Sequence, residues 1–278
     1  AFVLIYLIFL LLIGLPVMTM EFAIGRAGRK NIAGALRALE PKGTKWHMIG
    51  PAAVAGNYIL LMFYSVLTGW LIYYFVSFLT GGISSSFTTA DVASFFGALT
   101  ADPLLQIVYM AIALLMTAGI VIIGLKNGVE KITKVMMMVL FVLMIILAIH
   151  SCLLPGSHDG LLFYIRPDFG NLVHEYGLSE SIFAAMGQAF FTLSLGIGAM
   201  AIFGSYFNNE HTLGGETIKI ICLDTTIALL SGFIIFPACS AFGVEAGSGP
   251  SLLFVSLPNV FTRMPAGNIW GAIFFLAM

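Results

Sequence analysis

The sequence predicts an all-α polytopic membrane protein, and three observations carry that prediction. Of 278 residues, 60% are hydrophobic and only 9% are charged, whereas a soluble domain averages ~25% charged residues. The mean hydropathy is +1.03. The apolar residues also gather into stretches that reach the ~20 residues a spanning helix needs. The net charge of −1 adds little, because in a membrane the location of charge matters more than its sum.

Seven apolar segments can be placed in order, at about 1–24, 48–79, 104–125, 132–154, 181–206, 217–242 and a partial one at 269–278. They form one transmembrane domain, 1–278. The stretch 48–79 exceeds what a bilayer requires and is expected to tilt or project beyond it. The chain opens directly in apolar sequence at Ala1, and the last segment, IWGAIFFLAM, is about half a span. The expectation is a fragment truncated at both ends.

Orientation follows from the basic residues. Arg26, Arg29, Lys30, Arg37, Lys42, Lys45, Lys126, Lys131, Lys134 and Lys219 fall on one set of connections, ten of the twelve Lys and Arg, leaving Arg166 and Arg263 on the other. Positive-inside bias places 25–47, 126–131 and 207–216 in the cytoplasm. Within 25–47, Ile32, Ala35, Leu36 and Leu39 repeat at helical spacing, so a short amphipathic helix is expected there, stopped by Pro41-Lys42-Gly43. On the outer side, GPSLLFVSLP is too apolar for a free loop and is expected to fold back as a lid.

The stretch GQAFFTLSLGIGAMAIFGSY, inside the segment 181–206, is unlike the others because it carries Thr192, Ser194, Gly196 and Gly198 at its centre. Unpaired backbone in hydrocarbon costs several kcal/mol per group, so a helix broken near 192–198 is tolerated only beside a protein-lined or wet cavity. Small residues also serve continuous helices that pack closely, and spacing alone leaves both open. Asp224 lies well inside the next span, where an ionisable group suggests an ion or proton site. A capping or snorkelling role near the helix end is the alternative. Glu21, beside Arg26 near the cytoplasmic edge, suits an interhelical ion pair or hydrogen bond. Tyr6 and Tyr64 are mid-segment phenols, and a buried phenol normally finds a hydrogen-bond partner.

Hydroxyls, freed carbonyls and a carboxylate are hard oxygen ligands, suited to a small cation such as sodium. Cys152, Cys222 and Cys239 are widely spaced and read as buried apolar residues or free thiols. Neither a nucleophile–base pair nor a nucleic-acid motif is present in the sequence, so an enzyme and a nucleic-acid partner are not expected.

These residues resemble a family. MEFAIGRAGR, FYSVLTGW, GQAFFTLSLGIGAM, ICLDTTIALLSG, GPSLLFVSLPNVF and IGLKNGVEKITK are similar, in that order and across almost the whole chain, to neurotransmitter:sodium symporters of bacterial type. The resemblance implies a leucine-transporter-like inverted-repeat fold, with this chain covering about helix 2 to the start of helix 8. It implies that Tyr64 and Phe191 hold and cover the substrate carboxylate, and that Thr192 and Asp224 contribute to a sodium site. Ser194, Ile197 and Leu67 would line the side-chain pocket, and Thr192 would also border the substrate. Gln188 would sit near the outer gate and Tyr6 at the position linked to chloride, with Gly196 and Gly198 in the unwound hinge.

The sequence departs from many relatives in having Asp224 where they have Asn. A fixed carboxylate can do the charge-compensating work of chloride, so chloride-independent transport is expected. Ile197 in place of a common Phe leaves room for a larger apolar substrate. The implied function is sodium-coupled symport of a hydrophobic amino acid across the inner membrane by alternating access, with sodium as the coupling ion and no organic cofactor. The fragment alone is expected to be inactive. A non-transporting amino-acid sensor on the same fold is the alternative.

Overall fold

A computed structural model of the chain describes residues 1–124, 128–170, 172, 177–208, 210, 212–243 and 251–278. Lys126, His174, His211, residue 125 of the third apolar segment and residues 249–250 of the expected lid lie outside the described residues. The described chain is helical throughout. Its helices are α1 (Phe2–Gly28, with a π-helical turn at Leu10–Gly14), α2 (Ile32–Leu39), α3 (Ile49–Leu79), α4 (Thr89–Ala101), α5 (Pro103–Ile123) and α6 (Glu130–Cys152). They continue as α7 (His158–Ile165), α8 (Leu178–Thr192), α9 (Ala199–Gly204), α10 (Leu213–Phe242), α11 (Ser251–Arg263) and α12 (Gly267–Ala277). Among the described residues, α1, α3, α5, α6 and α10 are long and apolar enough to cross a membrane.

The chain resolves into two compact units, residues 1–61 with 166–226 and residues 62–165 with 227–278. The long helices α3 and α10 each run from one unit into the other, changing unit at Leu61/Met62 and Thr226/Ile227.

In the first unit, α1 lies against α8 and α9. Its buried face supplies Tyr6, Leu10, Met18 and Phe22, which meet Ala185, Ala189, Leu193 and Ile221. Contact with α9 is backbone to backbone: a Cβ on Gly25 would collide with the Ala201 carbonyl, and one on Gly204 with the Phe22 backbone. Small residues at both sites are what allow two helices to approach this closely. The amphipathic stretch forms α2 as expected. Asn31 caps it, its side-chain oxygen accepting the Gly34 N–H at 2.8 Å. Ile32 seats against Ala53 and Ala201, and Ala35 is buried with it, while Leu39 at the end of the apolar face is exposed.

The second unit is held by aromatic rings. Tyr74, Phe78, Phe254, Phe261, Phe274 and Phe275 are all buried in one core. Phe78 stacks on Phe275 at 5.6 Å between centroids, and Phe96 on Phe254 at 5.6 Å. The Tyr74 hydroxyl donates to the Phe254 carbonyl at 3.0 Å, which satisfies the phenol inside the core. The connection after α3, expected as loop, contains α4. It starts with a Thr88/Asp91 capping box that pairs two otherwise orphan N–H groups. The expected lid is α11, which buries Phe254, Leu257, Val260 and Phe261 against α4 and α12. A run too apolar for water takes helical periodicity as soon as it has a surface to cover.

Candidate functional site

The site is built where α8 stops. Thr192 ends the helix, and the next residue, Leu193, leaves helical geometry at φ −88°, ψ 3°. Three of the following five residues take positive φ: Ser194 at 52°, Gly196 at 84° and Gly198 at 70°. Glycine adopts this region freely, so Gly196 and Gly198 explain why the break is here. Ser194 has a Cβ, and the left-handed conformation costs such a residue roughly 1–2 kcal/mol. Side chains expected to line a pocket therefore sit on strained backbone, a feature that clusters at functional sites. Gly198 also makes room, because a Cβ there would run into the Ile32 side chain.

Freed backbone groups in a membrane need partners, and two side chains from other helices supply them. Glu21 on α1 accepts the Gly196 N–H through Oε1 at 2.7 Å. The Met200 N–H faces the same carboxylate, which thereby lies at the N-terminal end of α9. Asn57 on α3 donates from Nδ2 to the Ile197 carbonyl at 2.7 Å and to the Ala53 carbonyl at 2.8 Å. Opposite the break, the Thr192 hydroxyl donates to Asp224 Oδ2 on α10 at 2.9 Å. The Tyr6 hydroxyl is buried beside Thr192 and Asp224. At Gly14 the π-helical turn of α1 meets the Leu193 side chain, whose Cδ1 lies 2.9 Å from where a Cβ would stand.

Chemically, this is a cluster of hard oxygens. Thr192 Oγ1, the Asp224 carboxyl and the Tyr6 hydroxyl are neighbours in the first unit. Such a set suits an alkali cation and offers no soft ligand. Gln188 and Phe191 lie on exposed positions of α8, Phe191 with 51% of its surface open. Ser194 and Ile197 are half-buried in the broken segment. Tyr64 and Leu67 belong to the second unit. Leu67 packs against that unit's aromatic core, while the Tyr64 ring is 46% exposed and meets Phe63 edge-on at 5.6 Å. The Tyr64 phenol thus stands half-exposed, not buried as its mid-segment position suggests.

Comparison with known proteins then decides the family. The model of the sodium:neurotransmitter symporter family matches residues 1–93 and 100–278. The chain belongs to the sodium:neurotransmitter symporter family. An uncharacterized sodium-dependent transporter of Bacillus subtilis, YhdH, is 35% identical over all of this chain and 60% of its own length. A sodium-dependent transporter of Haemophilus influenzae is 33% identical over 99% of the chain and 61% of its own length. The crystal structure of MhsT in complex with L-phenylalanine superposes with a TM-score of 0.92 at 39% identity, over 100% of this chain and 62% of that one. The chain thus spans about three-fifths of the length of the relatives it matches. Those relatives are transporters and not enzymes.

Two partners of the broken segment were not assigned from the sequence. Asn57 was a lone amide in VAGNYILL, and its only signal was being the one side-chain amide within the apolar span 49–79. Glu21 was noted, but its partner is a backbone N–H 175 residues away, which no local pattern reveals.

Proposed function

We propose that this chain forms part of a sodium-coupled symporter that carries a hydrophobic amino acid across the inner (plasma) membrane, a multi-pass membrane protein working by alternating access. The observation that carries the proposal is the broken helix with Thr192 hydrogen-bonded to Asp224 across it. Sodium, the co-transported ion, would take oxygen ligands from Thr192 and Asp224, and the carboxylate would compensate its charge in a low-dielectric surrounding. Because Thr192 is the last residue of α8, ion binding and the shape of 193–198 are mechanically linked. Substrate would lie along Phe191, Thr192, Ser194 and Ile197 of the first unit. The sequence similarity to a protein solved with L-phenylalanine supports an amino acid with an apolar side chain.

Asp224 also supports independence from chloride, since the negative charge is already covalently present. Tyr6 would then shape the ion site without holding an anion, and Gln188 would stand near the outer gate. The test is uptake of labelled hydrophobic amino acids by the full-length gene product in proteoliposomes, with an inward sodium gradient and potassium as control. Accumulation that needs sodium and is unchanged by replacing chloride with gluconate is expected. Saturable binding without accumulation would move the reading to a sensor, and a clear rise in uptake on adding chloride would remove the chloride-independent part.

A further inference from the structure

We propose that Asn57 is a positioning residue whose amide fixes the Ile197 carbonyl and, through it, sets the side-chain selectivity of the amino-acid pocket. The proposal rests on the reading of 191–198 as the substrate-binding segment.

The amide nitrogen of Asn57 has two hydrogens and two acceptors, the Ala53 carbonyl at 2.8 Å and the Ile197 carbonyl at 2.7 Å. The first is local, one turn back on α3. The second reaches 140 residues along the chain. Ile197 stands between Gly196 at φ 84° and Gly198 at φ 70°, two residues with the least resistance to rotation. Nothing in the local backbone therefore fixes the direction of the Ile197 side chain. Two tethers do. Glu21 holds the Gly196 N–H from α1 at 2.7 Å, and Asn57 holds the Ile197 carbonyl from α3. An acceptor grips one end of the short segment and a donor grips the other, and each alone would leave a free pivot.

The approach of α3 is itself prepared in the sequence. At Gly56 the backbone of α3 passes close to the same residue, where an added Cβ would stand 3.4 Å from Ile197 Cγ2, about van der Waals contact. With Asn57 in place, Ile197 presents one surface to the pocket. Without it the carbonyl must find another donor, the segment turns on its glycines, and the pocket wall loses its defined shape.

Serine separates this role from a merely structural one. A serine hydroxyl in a helix bonds back to the carbonyl four residues earlier, so Asn57→Ser retains the bond to Ala53 and loses the one to Ile197. Two measurements on the full-length gene product test the idea: uptake kinetics for phenylalanine and leucine in proteoliposomes, and hydrogen exchange of the amides at 197–199. In Asn57→Ser the KM of the preferred amino acid is expected to rise ~10-fold, the worth of about one hydrogen bond, with kcat little changed. The ratio of kcat/KM between the two substrates should narrow, and exchange at 197–199 should quicken while amides around Tyr74 and Phe78 stay protected. Asn57→Ala should match Asn57→Ser. An unchanged substrate ratio, or unchanged exchange at 197–199, overturns the proposal. If the unaltered protein neither binds nor accumulates amino acids with sodium, the transport reading fails and with it the pocket role; the exchange comparison then still decides whether Asn57 holds the segment.

Discussion

The two units solve the problem of filling a membrane interior in opposite ways. Around α4, α11 and α12 the second unit uses rings packed on rings, and Tyr74 places its hydroxyl on a backbone carbonyl. Around α8 and α9 the first unit interrupts a helix and then pairs the exposed backbone with Glu21 and Asn57. Aromatic packing is non-directional and redundant, and many contacts share the load. The polar arrangement has few members, each with its own partner, and an unpaired one costs a full desolvation penalty. The difference teaches where a change in shape can be stored: in the unit whose backbone is held by individually replaceable bonds.

Breaking each unit in turn should separate stability from ion binding. The largest effect is expected from Phe261→Ala. Truncating a buried Phe costs ~3–5 kcal/mol, so the melting temperature in detergent should fall while sodium affinity in the surviving folded protein is retained. Of similar size, but in binding, is Asp224→Ala. Losing one partner of a charge pair formed on binding costs ~2–5 kcal/mol, so sodium-dependent binding should drop by ~10² or more, with little change in melting temperature because Asp224 is half-buried and bonds only a hydroxyl. If both variants moved both quantities alike, the contrast between the units would be lost.

A smaller loss is expected from Gly196→Ala. Forcing a Cβ into the left-handed region costs roughly 1–2 kcal/mol, and no neighbour lies within 4 Å of the added atom. The effect should therefore come from backbone strain alone and appear as weaker substrate binding. Ser194→Gly, by the same argument, should stabilise the broken segment slightly, and thermal unfolding of the two variants would show opposite signs.

The smallest effect concerns the connection from α2 to α3, outside the membrane. The His47 ring Nδ1 lies 2.8 Å from Glu40 Oε1, and the His47 N–H donates to Oε2 at 3.1 Å. The hydrogen bond from the His47 side chain, then that from its backbone N–H, holds the Glu40 carboxyl below the usual carboxylate range. A depressed carboxylate contributes its stabilisation above its unfolded pKa and loses it as pH falls through the folded value. The clasp should thus be fully formed at neutral pH and open only under acid conditions below the ordinary Glu range. Fluorescence of the adjacent Trp46 should report that transition, and Glu40→Gln should abolish it.

Much of this was legible in advance. The spans announced themselves by length and hydropathy, because hydrocarbon selects apolar side chains along the whole of a crossing helix. Gly196 and Gly198 raised the question of a break without deciding it, since small residues also serve closely packed continuous helices, and Asp224 stood out as a charge within apolar sequence. The helices α4 and α11 were less legible. Their sequences are mixed, and helicity there depends on a core contributed by distant segments.

The sequence by itself determined the membrane class and the family, because these follow from composition, periodicity and motifs read locally. Only the tertiary structure decided that Glu21 and Asn57 complete the broken segment, that Ser194 carries positive φ, and that Thr192 bonds Asp224. Each of those facts pairs groups separated by 32 to 175 residues or a backbone dihedral imposed by such pairs. Hydrogen-bond partners are chosen by proximity in space, and proximity exists only once the helices have packed.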